Sequence, residues 1–544
     1  MHERSCFNHL QPIRLQNVNI ISKGDSKPNA THARCTAVDT VMSPTPTERH
    51  AGRPMSPDAP PEPNLDPDDW DAFRRAGHRA LDDMIEHLAT VRDRKVWQAA
   101  TPDALSHFRR SLPTAPQSLE QTLAQFDTFI KPYDNGNDHP MFMGWVHGAG
   151  TPVGMIAEML AAGLNANCGG RNHIGIAVER QIAAWASQIF GFPDNASGLF
   201  VTGTSVANLV AMLVARNAVL GDQVRQNGLR HDRQLTAYAS VEAHGCIAKA
   251  TEIAGIGSRH LRAINVDTNG AMRMDDLADA IREDRANGRQ PFLVVGTAGT
   301  VNTGAIDDLG ALADLCRSEQ LWFHVDGAFG ALCALAPALR PLITGIERAD
   351  SVAFDFHKWA HVPYDAGFAL VRDPAAHLRT FGSSATYLNR AESGLAAGDV
   401  WPCDLGPDLS RGFRALKTWF TFCVFGADKI GACIAHTCDL AKLLARRISD
   451  SDLFEVSAPV TLNIVCLSLK QGGRDRLNER IVRDLHDRGL AAPSTTVIAG
   501  RTVIRAAIVN HRTTADDIEA FVAMLHTSAT RMLAENAALV AAPA

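Results

Sequence analysis

Between about residue 152 and residue 416 the chain alternates short apolar runs with amphipathic segments, and this alternation constrains the fold more than any other feature. "GLFVTG" leads into "SVANLVAMLVARNAV", and "LTAYASV" leads into "HGCIAKATEIAG". "FLVVGTAG", "LWFHVD", "SVAFDF" and "GFALVRD" read as further strands. A strand that is apolar along its whole length is covered on both faces. Such strands alternating with helices predict an α/β fold, a mainly parallel central sheet with helices on both sides. In sheets of that kind ligands bind at the carboxyl ends of the strands.

The remainder divides by composition. Eight prolines fall from Pro44 to Pro67 among Ser, Thr, Asp and Glu, which predicts that residues 1–66 are a disordered extension. Met42 and Met55 are alternative starts to Met1 that would remove nothing foldable. Residues 67–151 read as an N-terminal helical segment, opened by "WDAFRRAGHRALDDMIEHLATV" and continued by "LEQTLAQFDTFI". Residues 152–416 form the large domain, 417–530 a small C-terminal α+β domain, and 531–544 a tail. The 544 residues are 46% hydrophobic and 21% charged, with a net charge of -6. That balance argues against nucleic acid or an anionic membrane surface as a partner. No apolar run is long enough to span a bilayer. The eleven cysteines form no CxxC pair and no framework, which fits reduced thiols in the cytoplasm. There is no HExxH and no tight His/Cys cluster, so no metal is expected.

The chemistry-bearing residues fall at the predicted strand ends. Lys358 stands in "DSVAFDFHKWAHVPYDAG" between His357 and Trp359. Alone it reads either as a snorkelling surface lysine or as a desolvated amine poised as a nucleophile. Asp326 ends "LWFHVD", as a turn carboxylate or as the partner of a buried cation. His244 follows "YASVEA". "TGTSVANL" at 202–209 is a strand-to-helix turn in which Thr204 and Ser205 either cap a helix or help its N-terminus hold an anion. "GTAGTVNTGAIDD" at 296–308 is a second strand exit rich in Gly and Thr. An anion cradle, a histidine, a carboxylate and a lysine at successive strand ends make a set that pyridoxal 5'-phosphate requires. Its phosphate needs a helix N-terminus, its aldehyde an amine, and its ring nitrogen a carboxylate.

At this point the chain resembles the pyridoxal-phosphate-dependent group II amino-acid decarboxylases, with similarity over roughly residues 67–530. "FHKW" is similar to the family's "PHKW", and "HVDGAFGA" to "HVDAAYAG". "VEAHGCIAKA", "GTAGTVNTGAIDD", "TYLNR" (386–390), "SRGFRALKTW" (410–419) and "VIRAAIVNHRTTADDIEAF" match further family segments in the same order. The resemblance implies a fold-type-I enzyme, similar to aspartate aminotransferase in fold, working as a homodimer on a small amino-acid substrate. It also implies roles. Lys358 bonds the cofactor aldehyde, Asp326 pairs with the ring nitrogen, and His244 stacks on the ring. Thr204, Ser205 and His357 contact the phosphate, Thr297 lies near the ring, and Ala328 packs on its opposite face. Tyr387, on the "TYL" loop, delivers the proton that replaces CO2.

Several positions depart from the family pattern. Asp355 stands where the family often has Asn, and Val206 replaces a Glu. "HPMFMGWVHGAG" (139–150) puts Trp145, Val146, His147 and Gly148 where aromatic decarboxylases have an aromatic wall and a carboxylate-binding hydroxyl. "NHIGIAVE" (172–179) follows Arg171, and Asn165 and Asn167 replace apolar pocket positions. The expected activity is decarboxylation of an L-amino acid to its amine. Trp359 and Trp145 favour an aromatic or imidazole substrate, while Arg171 leaves an acidic one open. An aldehyde synthase, other carbanion chemistry on the same fold, and a catalytically dead binding protein are the alternatives.

Overall fold

The structure is a computed structural model that describes residues 63–229, 234–382, 390–470 and 474–541. Nearly all of the segment 1–66, for which composition predicts disorder, lies outside the described residues, as does Tyr387. The chain divides at Asp68, and every element below belongs to the unit Asp69–Ala544.

A seven-stranded sheet forms its centre. From edge to edge the strands are Ser197–Val201, Gly367–Val371, Ser351–Asp355, Trp322–Asp326, Gln290–Thr297, Leu235–Ser240 and Leu261–Ile264. All run parallel except Gly367–Val371, which is antiparallel to both neighbours. The fully buried residues of Ser351–Asp355 and Gly367–Val371 are the continuous apolar runs of the sequence. Helices cover both faces, so Val, Phe and Ala are tolerated at every position. Phe190, Phe200, Phe354, Phe356 and Phe368 interlock edge to face beside it, with Phe354 and Phe356 ring centres 4.8 Å apart. The edge strand Leu261–Ile264 is short and half exposed, and its sequence lacks the apolar run that marks the others.

A five-stranded sheet follows, in the order Phe142–Met143, Ala492–Ile498, Arg501–Ala507, Ile464–Leu469 and Phe454–Val456. Its edge strand comes from the segment read as purely helical, because Phe142–Met143 pairs parallel with Ala492 and Pro493. The boundary drawn at 416/417 falls inside one helix, Arg414–Ser449, which breaks only where Gly426 takes a φ of 72°. The last helix, Ala515–Ala541, runs through the residues read as a tail.

Arg505 ties the two sheets together. Its guanidinium is buried, and it donates to the carbonyls of Asn302 (3.1 Å), Trp145 (3.2 Å) and Val301. Burial without a carboxylate partner pushes its pKa down to about 10. These bonds fix the two loops that face each other above the carboxyl ends of the large sheet.

Candidate active site

Five of the six mutually parallel strands of the large sheet deliver chemistry at the same end. Ser197–Val201 leads through Thr202 and Gly203 into the helix Thr204–Leu220. His244 follows Leu235–Ser240, Thr297 ends Gln290–Thr297, and Asp326 ends Trp322–Asp326. Asp355 ends Ser351–Asp355, and His357 and Lys358 come directly after it. Together with Trp145, His147, Cys246, Ala328, Phe329 and Tyr364 they line one cavity of about 360 Å³. Size alone does not single it out. A cavity of about 420 Å³ beside Glu179, Asp194 and Asp399 is lined by no lysine or histidine.

Lys358 points its ammonium at Asp355, with Nζ 2.9 Å from Oδ2. The same carboxylate accepts the Thr204 amide at 2.7 Å through Oδ1, at the N-terminus of the helix. His357 lies 3.6 Å from Asp355 Oδ2 through Nε2, while its Nδ1 accepts the Ala366 amide at 3.0 Å. That acceptor role leaves the neutral ring's proton on Nε2, on the side of Asp355. Burial drives the His357 pKa down to about 4, against the opposing pull of Asp355. Asp326 is buried and accepts from the Ala328 amide (3.2 Å) and from Asn208 Nδ2 (3.0 Å). Burial raises its pKa, and Lys358, those two amides and His244 oppose the rise. His244 is exposed at the mouth, its Nδ1 accepting the Cys246 amide at 3.2 Å.

Two hydroxyls face the cavity with nothing to bond. Thr204 Oγ1 and Thr297 Oγ1 are buried and lack a partner. Both hydroxyls are free to donate to a ligand in the cavity, as buried polar groups ordinarily have a partner. Beside them the helix Thr204–Leu220 opens with Gly203, which carries no side chain over the amides. A phosphate-bearing cofactor fits this donor set, and Lys358 and Asp326 lie on other walls of the same cavity.

Eight of the nine residues singled out from sequence, Lys358, Asp326, His244, Thr204, Ser205, Thr297, Ala328 and His357, line this cavity. The ninth, Tyr387, lies outside the described residues. The expected substrate positions split. Trp145, Val146 and His147 line the cavity, whereas Asn165, Asn167, Arg171 and His173 do not. Arg171 sits 5.0 Å over the Trp401 ring. Asn165 ends a helix in the left-handed region, Asn167 accepts the Gly169 and Arg411 amides, and His173 caps Ile174–Phe190. These residues shape turns because short polar side chains hydrogen-bond their own backbone. Sequence reasoning missed Tyr364 and Asn208. The Tyr364 ring lies tilted against that of His357, centres 4.3 Å apart, in the turn read only as the end of the lysine motif. Asn208 stands one helical turn after Thr204, a spacing that puts both on the sheet-facing side.

Comparison with known proteins agrees with this geometry. The pyridoxal-dependent decarboxylase conserved domain matches residues 102–470. The aromatic-L-amino-acid decarboxylase of Bacillus atrophaeus is 32% identical over 460 residues, 82% of this chain and 93% of that protein. The histidine decarboxylase of Rattus norvegicus is 29% identical over 473 residues, 84% of this chain and 70% of that one. A crystal structure of Oryza sativa TDC with PLP and tryptamine superimposes with a TM-score of 0.80 at 24% identity, covering 86% of this chain and 100% of the other. The fold is therefore that of the fold-type-I pyridoxal-phosphate enzymes. Within that class, the chain belongs to the pyridoxal-dependent decarboxylase family and is an amino-acid carboxy-lyase that uses pyridoxal phosphate.

Proposed function

We propose that the substrate is an L-amino acid with an aromatic or imidazole side chain, and that the product is its amine. The wall of the cavity carries this reading. Trp145 and His147 stack with ring centres 5.8 Å apart, and Tyr364 meets His147 edge to face at 6.2 Å. Flat apolar faces with one polar edge suit a planar side chain. Lys358 is the sole lysine or arginine among the described residues lining the cavity, while Asp326 and Asp355 are both in it. A second carboxylate on an acidic substrate would meet like charge there. The relatives named for aromatic amino acids and for histidine support the same class.

In this reading Lys358 bonds the cofactor aldehyde and Asp326 faces the ring nitrogen. His244 covers one ring face and Ala328 the other. Thr204, Ser205 and His357 hold the phosphate, and Thr297 lies beside the ring. Bound pyridoxal phosphate supplies the sink for the electron pair left on the substrate Cα as CO2 departs. The residues of the chain orient the Cα carboxylate, exclude water and return a proton to Cα. Tyr387 is the proposed donor of that proton. A single chain leaves Trp70, Phe108 and Leu112 58%, 60% and 84% exposed, and a homodimer would cover such groups. The nine described cysteines are all unpaired, which fits a reducing compartment such as the cytoplasm.

CO2 and amine release from each proteinogenic amino acid tests the substrate class. Trp, Tyr, Phe or His should rank first, and Glu or Asp in first place would overturn it. On that best substrate, Tyr387→Phe should keep the cofactor but divert product from amine toward aldehyde, with O2 taken up. An unchanged amine yield would remove Tyr387 from the reaction.

A further inference from the structure

Asp326 does not stand alone at its strand end. Its Oδ2 accepts Asn208 Nδ2 at 3.0 Å. The other face of that amide, Asn208 Oδ1, lies 2.7 Å from His324 Nε2. His324 Nδ1 lies 2.8 Å from Ser351 Oγ, and Ser351 Oγ lies 2.9 Å from Trp322 Nε1. Asn208, His324, Asp326 and Ser351 are between 1% and 4% exposed. Asn208 Nδ2 also reaches Cys246 Sγ at 3.2 Å, so both of its amide hydrogens are used.

The direction of every bond follows from the two ends. Trp322 has an indole N–H and nothing that accepts, so Ser351 Oγ accepts from it. Ser351 keeps a second lone pair and its own hydrogen, so the sense of its bond to His324 Nδ1 is set from the other end. At the far end an ionised Asp326 only accepts, so Asn208 turns its NH2 toward it and its carbonyl toward His324. His324 Nε2 must carry a hydrogen to meet that carbonyl. In a neutral ring with its proton on Nε2, Nδ1 accepts, so the Ser351 hydroxyl donates to it. Full burial, which lowers the pKa of His324 to about 4, keeps the ring neutral.

We propose that Trp322, Ser351, His324 and Asn208 form a one-way hydrogen-bond relay that orients the Asp326 carboxylate and keeps it in its accepting, ionised form. This rests on the assignment of Asp326 to the cofactor ring nitrogen. Asn208, His324 and Ser351 are thus positioning residues. They lie behind Asp326 and act on the cofactor only through it. Each donor polarises the next, so that the last one, the Asn208 amide, holds the carboxylate oxygen. Reversing any member would place two acceptors or two donors face to face in a dry interior.

The test is a double-mutant cycle in cofactor affinity, measured by equilibrium dialysis of pyridoxal phosphate against the full-length protein. Asn208→Ala should weaken binding by about tenfold, the scale of a hydrogen bond to a charged group. Ser351→Ala, two bonds removed, should weaken it by about threefold, near the lower end of couplings within one network. In an Asp326→Ala background each effect should shrink to about 1.5-fold or less, because the relay then ends on nothing. The visible absorbance of the bound cofactor should shift in Ser351→Ala and return in Ser351→Thr, which keeps the hydroxyl. The Ser351 pair suffices if Asn208→Ala does not fold. Effects that persist in full beside Asp326→Ala would overturn the relay, since a purely structural role would weaken both backgrounds alike. An unchanged affinity and spectrum in Ser351→Ala would also overturn it. If Asp326→Ala itself alters neither affinity nor spectrum, the assignment of Asp326 fails, and the relay has nothing to serve.

Discussion

Lys358 and Asp355 show how much chemistry depends on a single pair, a half-buried lysine on a buried carboxylate. The ammonium lies 2.9 Å from a carboxylate that is 2% exposed and that also holds the first amide of a helix. Without the lysine, nothing else in the cavity provides a primary amine within the described residues. Lys358→Ala is therefore expected to lower turnover by a factor on the order of a thousand or more, at the upper part of what one positioned group contributes. Far-UV circular dichroism and CO2 release check this together. Wild-type turnover with intact fold would show that the amine has been assigned to the wrong residue. Its role was legible in the sequence because "FHKW" is a contiguous motif. The partner in space was less so, since Asp355 was visible only as a departure from Asn.

At the scale of elements, two close fits hold the site. The loop that carries Trp145 and His147 crosses over the lysine turn at Gly148. A Cβ on Gly148 would lie 2.0 Å from the His357 carbonyl oxygen and 2.4 Å from that of Lys358. Both are backbone atoms and have no rotamer to yield. Gly148→Ala should push the loop away and cut kcat/KM by roughly a hundredfold, as expected for an ångström-scale misplacement. Near-normal kinetics would show that the loop is free to move. Below the sheet, Arg411 and Glu179 form a buried pair, with Nη2 to Oε1 at 2.6 Å. Arg411 also donates to the carbonyls of Cys168 (2.9 Å) and Phe200 (2.7 Å), while Glu179 accepts the Phe200 amide at 3.1 Å. The pair thus joins the helix Ile174–Phe190 to the strand Ser197–Val201. Arg411→Leu leaves a buried carboxylate unpaired and should destabilise the protein by about 3–5 kcal/mol. A urea midpoint within error of wild type would contradict this.

For the whole molecule, acid stability follows from buried imidazoles. Burial pushes His324, His377 and His511 each down to about 4. The unfolded chain takes up those protons near pH 6.5, well before the folded one does. Between about pH 4 and 6.5 the unfolded state therefore binds more protons, and stability rises with pH by up to about 1.4 kcal/mol per unit for each group. The contribution is complete above that window and is lost as pH falls through it. Asp307 works the other way. Burial raises it to about 6, so the folded state keeps a proton that the unfolded state has released, and stability falls as pH rises toward 6. His357 and His361 add to the lowered imidazoles and Asp326 and Asp350 to the raised carboxylates, and the imidazoles, still the more numerous, predict a higher urea midpoint at pH 7 than at pH 5. The reverse order would mean that carboxylates dominate the titration.

The α/β class, the strand ends that matter and most of the site residues were determined by the sequence itself. Each is written locally, as an apolar run, a turn rich in Gly and Thr, or a motif such as "HVDGAFGA". Local pattern suffices there because burial on both faces and the chemistry of a strand exit act over a few residues. Only the tertiary structure decided which polar residues share a cavity. Asn165 and Asn167 looked like pocket residues and Arg171 was open as a substrate anchor, yet they build turns or stack on Trp401, because a side chain's direction depends on backbone geometry. The antiparallel strand Gly367–Val371 and the pairing of Phe142–Met143 with the small sheet were equally invisible. Register joins residues hundreds of positions apart, and no local period encodes it. The relay behind Asp326 belongs to the same category. Trp322 and His324 come from one strand, Ser351 from its neighbour and Asn208 from a helix, and only the packed sheet makes them consecutive donors.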